Sequence, residues 1–310
     1  MTKRWFGAVF IVLGLSSNAF SMQYTLETIT YPDAVWTGVS SINNKGHVAG
    51  TYSDGTTTHG YIYDGNSFTT VDFPGAVQTS IRGINDSGKV VGWYNFNGQG
   101  FGYNRTYGFL YDNVAYYSVA FTDEQYGIPD ETSIYGINNK DVAVGGYWAG
   151  GEFGFTYDKG VVIADKFYGY GVDINDNGDI LVHTVEPGMV SWVIGNDDFY
   201  NDFINLENVP EIVANGMNNL GQVVGELYGY EASVNFIYDG EFKQLDLPGI
   251  ASDINDSGQI VGNAQFAYIA TPSESTAVPE PSSIMLLGLA IGGIFTAHRF
   301  SRGNTGSQLA

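Results

Sequence analysis

Residues 173–179 read DINDNGD and space four oxygen-bearing side chains at alternate positions: Asp173, Asn175, Asn177 and Asp179. Hard oxygen ligands at that spacing, with Gly178 at a sharp turn, suit a Ca²⁺ loop. The twelfth position is Thr184, where such a loop supplies a bidentate Glu, so the same residues also read as a plain hairpin turn. Aromatic rings beside amides and carboxylates offer a second chemistry. Phe96, Phe101 and Tyr103 fall in one insertion, and Asp123, Glu124 and Tyr126 in another. Rings stack on sugars and the polar groups hydrogen-bond them, and loops on a rigid scaffold often carry binding. Cleaving a glycoside needs two carboxylates about 5–9.5 Å apart. Asp123, Glu124, Asp130 and Glu131 are candidates for such a pair, though their clustering also reads as a solvated charge run. The histidines, His47, His59, His183 and His298, include no i, i+4 pair, and no G-x-S-x-G, H-E-x-x-H or G-x-x-x-x-G-K sequence occurs. No catalytic residue is assigned, and the sole cofactor to consider is Ca²⁺ at Asp173.

The elements that must hold these residues are repeated. GINDSGKVVG at 83–92 returns as SINNKGHVAG, GINNKDVAVG, GMNNLGQVVG and DINDSGQIVG, with a degenerate DINDNGDILV at 173–182. Its Asn falls at Asn43, Asn85, Asn138, Asn175, Asn218 and Asn255, a period near 40 residues. Asn and Asp bond back to nearby amides and Gly accepts a left-handed backbone, so each copy predicts a strand, a turn and a second strand. A third strand such as 60–63, a Tyr-Asp-Gly turn and a fourth strand such as 68–73 complete the unit. Four strands per 40 residues predict an all-β propeller of six blades rather than a β-helix. The last unit lacks its fourth strand. Residues 26–32 match 68–74, and Pro32 precedes Asn43 by the same 11 residues that separate Pro74 from Asn85. The N-terminal strand is therefore expected to complete the last blade and close the ring; the alternative is an open array with a truncated last unit.

Composition agrees. The chain has 42 Gly, 22 Tyr and 19 Phe among 310 residues, which favours strands and tight turns. It has no Cys, which removes disulfides and thiolate chemistry. Its formal charge is −21, and residues 22–275 hold eight basic against 32 acidic side chains. Such a surface repels nucleic acid and anionic lipid.

Both ends read as address labels. Lys3 and Arg4, an apolar run at 5–15 and small residues before 22 form a secretory signal peptide at 1–22, with a retained anchor as the alternative. At the other end Pro279, Glu280 and Pro281 precede an apolar run at 284–297, and Arg299 and Arg302 follow. This resembles the PEP-CTERM sorting signal of Gram-negative bacteria that make exopolysaccharide. The resemblance implies processing by an exosortase-type enzyme, with a transient tether to the inner membrane through a C-terminal hydrophobic helix. About 14 apolar residues are short for a ~30 Å hydrocarbon core, and the basic end would stay cytoplasmic. The basic residues are spread over 298–302 rather than paired, which is a departure from the pattern.

The repeated units themselves resemble HAF-type probable extracellular repeats, of the form G-I-N-x-x-G-x-V-V-G followed by a glycine-aromatic strand, here 107–111 and His59-Gly60-Tyr61-Ile62-Tyr63. That resemblance implies an exported propeller-like protein without a settled activity. The expected organisation is a signal peptide at 1–22, a propeller at 23–270, a linker at 271–277, the sorting signal at 278–303 and a tail at 304–310. The expected function is a non-catalytic scaffold or binding module at the cell surface or in an exopolysaccharide matrix. The alternative is a glycosidase or lyase on the same scaffold.

Overall fold

The repeated Asn explains why each copy folds as a hairpin. Its side-chain Oδ1 accepts the backbone N–H groups two and four residues on, as Asn138 does from Lys140 and Val142, both at 3.0 Å. The chain reverses around it, and the turn ends in a left-handed residue: Gly46, Gly88, Gly178, Gly221, Gly258 and, in the third copy, Asp141 at φ 64°. The structure, a computed structural model, describes residues 23–96, 105–120, 131–148, 151–184, 190–194, 202–203, 211–228 and 233–273. These belong to one compact unit, residues 1–273; residues 274–310 form a second unit and lie outside the described residues.

The described residues are all-β, and none of their elements is a helix long and apolar enough to cross a membrane. Strand β1 (Tyr24–Ile29) comes first. The first unit is β2 (Trp36–Ile42), β3 (Val48–Ser53), β4 (Thr58–Tyr63) and β5 (Phe68–Val71). The second is β6 (Gln78–Ile84), β7 (Val90–Asn95), β8 (Tyr107–Tyr111) and β9 (Tyr116–Val119). A single parallel pair, Thr58 with Gln78, joins the two into one eight-stranded sheet. Three four-stranded antiparallel sheets follow. They are β10 (Glu131–Ile137), β11 (Val142–Trp148), β12 (Glu152–Asp158) and β13 (Val161–Tyr168); β14 (Tyr170–Ile174), β15 (Ile180–Thr184), β16 (Val190–Ile194) and β17 (Asp202–Phe203); and β18 (Glu211–Met217), β19 (Val223–Tyr228), β20 (Ser233–Tyr238) and β21 (Phe242–Gln244). The last sheet holds β22 (Ile250–Ile254), β23 (Ile260–Asn263) and β24 (Ala267–Pro272), and β1 pairs antiparallel with β24 along all six of its residues. The fourth strand of the first unit stops at Val71, two residues before the expected end. There the Asp72 carboxylate takes the Gly60 N–H and Phe73 N–H turns to Thr79 Oγ1.

The paired apolar residues in the second half of each motif bury both faces of the second strand. Val48 and Ala49, Val90 and Val91, and Val223 and Val224 are all essentially inaccessible. A strand covered on both faces requires sheets stacked against each other. The apolar clusters accordingly lie between consecutive units: Ala49 and Val71 pack on Ile81 and Phe109, Val91 and Leu110 on Ile134 and Phe155, Val144 on Ile174 and Val182, and Leu181 on Ile212 and Phe236. Val224 and Ile237 meet Ala251 and Ile254, and the last sheet's Val261 and Ile269 meet the first unit's Val39 and Tyr61.

The motif's final Gly has a steric cause. A Cβ at Gly92 would collide with the Ser80 carbonyl oxygen on the neighbouring strand, and Gly50, Gly145 and Gly225 stand in the same relation to Gly38, Ser133 and Val213. The degenerate fourth copy carries Val182 there. Its cross-strand partner is Gly171, whereas Gly92 faces Ile81 and Gly145 faces Ile134. Large and small residues have exchanged strands, and the pair keeps its volume.

Candidate functional site

Two groups of residues from the first strands of all six units line two separate spaces. At the turn end, the residue after each repeated Asn alternates in type: Asn44, Asp86, Asn139, Asp176, Asn219, Asp256. Each donates its backbone N–H to the next one's Oδ1 at 2.7–2.8 Å, and the last, Asp256, donates to Asn44. The repeated Asn adds a second set of links. Nδ2 of Asn43, Asn85, Asn138, Asn218 and Asn255 each donates to the carbonyl of its counterpart in the following unit, Asn255 to that of Asn43. Asn175 instead gives its Nδ2 to Asp179 Oδ2.

Two carboxyls lie deeper in this end. Asp173 accepts from Met217 N–H of the next unit and from its own Ile174 N–H. Asp253 accepts from Ser41 Oγ, Ile42 N–H and Ile254 N–H. Burial raises both, Asp253 to about 6, and the nearby charge of Asp253 raises Asp173 further. Asp173 retains some contact with the narrow space, of about 60 Å³, that these residues line, yet its carboxyl is enclosed by protein.

Farther along the first strands, a β-bulge in every unit pushes one residue out of register. Those residues are Ser40, Arg82, Tyr135, Val172, Asn215 and Ser252. All six line a cavity of about 330 Å³, joined by Glu226 and Asn263 from the second strands of the last two units. Arg82 is exposed there and makes no hydrogen bond or ion pair among the described residues. Asn263 fastens the last unit to the first: its Oδ1 takes the Val39 N–H at 2.9 Å and its Nδ2 reaches the Val39 carbonyl at 2.8 Å. Glu226 and Asn263 occupy one register position, eight residues after the repeated Asn. Across the six units that position holds Thr51, Trp93, Gly146, His183, Glu226 and Asn263, six different types. The repeat is monotonous where it builds and varied where it faces the cavity.

A smaller pocket of about 170 Å³ opens beside this cavity, between the third and fourth sheets. Tyr135 belongs to both. Its other walls are Tyr170, Trp148, Glu131 and Glu152 over the bare backbone of Gly146.

Asp173, Asn175 and Asp179 belong to the turn end, where the Asp173 and Asn175 oxygens accept backbone amides and Asp179 Oδ2 accepts from Asn175 Nδ2; Asn177 is exposed. Among the described residues no three His, Asp or Glu side chains are grouped to hold a metal ion. Phe96 is half-exposed with its ring 5.3 Å from that of Tyr94. Phe101, Tyr103, Asp123, Glu124, Tyr126 and Asp130 lie outside the described residues, as do Pro279, Glu280, Pro281, Arg299 and Arg302. Glu131 stands at the start of β10 on the small pocket's rim. Sequence reasoning seeks departures from the repeat in loops. The cavity's departures lie inside strands, and aligning the six copies column by column exposes them.

Residues 277–299 match the PEP-CTERM protein-sorting motif, which marks an exported protein that is membrane-anchored while exosortase processes it. No curated protein sequence matches the chain. Its structural neighbours are β-propellers. A candidate gluconolactonase is 12% identical over 82% of this chain and 94% of its own, with a TM-score of 0.49. The Aleuria aurantia lectin in complex with Fucα1-6GlcNAc is 12% identical over 81% and 100%, with a TM-score of 0.44. The β-propeller domain of the Pyrococcus furiosus Trilobed protease is 13% identical over 79% and 92%, with a TM-score of 0.43. At these identities the likeness concerns the fold alone.

Proposed function

We propose that the chain is an exported six-bladed propeller of HAF-type repeats, closed by its N-terminal strand, which binds polysaccharide without cleaving it. It serves at the cell surface or in an exopolysaccharide matrix once its signal peptide at 1–22 and its sorting tail have been processed. The pairing of β1 with β24, the cluster between the last and first units and the hydrogen bonds that return to Asn44 support the closed ring. The observation that carries the binding function is the cavity lined by the bulge residues, where the repeat varies and the Arg82 side chain has no hydrogen bond or ion pair among the described residues. A guanidinium beside amides and a tyrosine suits a hydroxyl-rich chain bearing carboxylates. Ca²⁺ is not part of this reading, since the Asp173 and Asn175 oxygens of the turn accept backbone N–H groups.

The test is to incubate the protein with the producing cell's own exopolysaccharide and follow both binding and reducing-end release, with Ca²⁺ and with chelator. Binding without release, unchanged by chelator and weakened about tenfold or more by Arg82→Ala, is the expected result. Release of reducing ends would replace this reading with the enzymatic one, for which Glu131 and Glu152 are the carboxylate pair to test first. Loss of binding in chelator would return Ca²⁺ to the Asp173 turn.

A further inference from the structure

In the third sheet Glu131 pairs with Trp148, and Trp148 with Glu152. Residues directly opposed on adjacent antiparallel strands point to the same face. The two carboxylates therefore flank the indole on one surface, their Cα atoms about 10 Å apart at the usual strand spacing. The next row on that face is bare: Ser133, then Gly146, then Gly154. The fourth sheet's Tyr170 leans on Gly146 where a side chain would otherwise stand. Tyr170 and Tyr135 lie ring to ring at 5.3 Å, tilted by 38°. The result is a small pocket with aromatic walls and two acidic side chains at its mouth, and no basic residue in its lining.

One of its polar atoms is unexplained. Glu152 Oε2 is buried and has no hydrogen-bond partner among the described residues. Burial, followed by the charge of Glu131, raises Glu152 above the usual carboxylate range. A buried carboxylate oxygen without a donor costs stability that a bound N–H or O–H group would return. A hard metal ion is a poor match, since it needs six or more oxygens and the walls here are rings. A neutral sugar would stack but would leave both charges uncompensated. An organic ammonium meets every feature: three N–H donors, a positive charge against two carboxylates, and cation–π contact with indole and phenol faces.

We propose that this pocket binds a primary organic ammonium, namely the free amine of a non-acetylated amino sugar in the polysaccharide. The amino-sugar identity rests on the polysaccharide-binding reading; the ammonium chemistry does not. The amine sits between Glu152 and Glu131 and the pyranose ring lies on Trp148, whose side chain is 46% exposed.

The experiment titrates the full-length chain, in mild detergent at pH 7.5, with D-glucosamine, N-acetyl-D-glucosamine, D-glucose and CaCl₂, reading tryptophan fluorescence and heat. Glucosamine is expected to saturate, and N-acetylglucosamine and glucose to bind at least tenfold more weakly. Glu152→Gln is expected to weaken glucosamine at least tenfold with a melting temperature no lower than the wild type's, and Trp148→Phe to weaken it less. Equal binding of the acetylated and free amines would overturn the proposal. So would absence of saturable glucosamine binding, competition by CaCl₂ at the same site, or indifference to Glu152→Gln. Arg82→Ala separates the two readings by sign: it is expected to weaken exopolysaccharide and, because it removes a positive charge that acts on Tyr135 and Tyr170, to leave glucosamine binding as strong or stronger. If exopolysaccharide binds and glucosamine does not, the pocket assignment fails alone. If glucosamine binds and exopolysaccharide does not, the amino-sugar identity fails with the polysaccharide reading, and the ammonium chemistry stands.

Discussion

Asn138 shows how much one residue of the motif carries. It accepts two backbone amides within its own turn and donates to the Asn175 carbonyl of the next unit. The first task was legible in the sequence, because Asn in a turn bonds back to local amides. The second was not, since it depends on which unit lies beside it. Removing the side chain strands three polar groups at a buried position. Asn138→Ala should therefore lower unfolding stability by about 3 kcal/mol, at roughly 1 kcal/mol per lost bond, measurable by urea titration. Asp173 and Asp253 were legible as turn oxygens only, and their burial against neighbouring units changes their meaning. Both are raised above the ordinary Asp value, so the folded state holds protons that the unfolded chain has released. Their contribution is full below about pH 4 and is lost as pH rises through the folded value, about 6 for Asp253. His183, held below its usual value by desolvation, works the other way, costing stability as pH falls. The measurement is thus a difference: between pH 5 and 7.5 the wild type should lose more melting temperature than Asp253→Asn does.

At the level of the element, the hairpins could be read from Asn, Gly and the paired apolar residues, and strand ends moved by only a residue or two. The bulge could not be read, because nothing in Ser40, Arg82, Tyr135, Val172, Asn215 or Ser252 signals an irregular backbone. It recurs in all six units, including the fourth, where Val182 replaces the motif's last Gly, so that Gly is not its cause. Gly92→Ala would push a methyl into the Ser80 carbonyl. A backbone contact cannot yield as a flexible side chain does, so the loss should reach at least about 2 kcal/mol in a thermal or urea melt. In the fourth copy Val182 stands there, paired with Gly171. The degenerate copy is thus an exchange between strands, which a motif written along one strand cannot express.

At the level of the molecule, the charge, the sorting motif and the 40-residue period were all legible before any contact was known. The cavity was hidden because its lining comes from residues spread across all six units, each unremarked in its own copy. The pairing of the first and last strands offers a direct test of ring closure. Thr25 and Thr271 face each other on β1 and β24, both exposed, in a chain without Cys. Thr25→Cys with Thr271→Cys should form a disulfide on oxidation and raise the melting temperature, and reductant should reverse it. The chain-entropy estimate for so long a loop is about 5 kcal/mol at most. Failure to crosslink would leave the array open.

Ser273 donates both its N–H and its hydroxyl to the Gln23 carbonyl, across 250 residues of chain. The two ends of the folded body, Gln23 and Ser273, therefore share a single spot on the protein. A chain threaded through a membrane pore delivers Gln23 first and Ser273 last, so the final sheet cannot form until translocation is nearly over. The other sheets have local partners and can assemble as they emerge, while β1 waits. Completion of the last sheet thereby coincides with arrival of the sorting motif at 277–299.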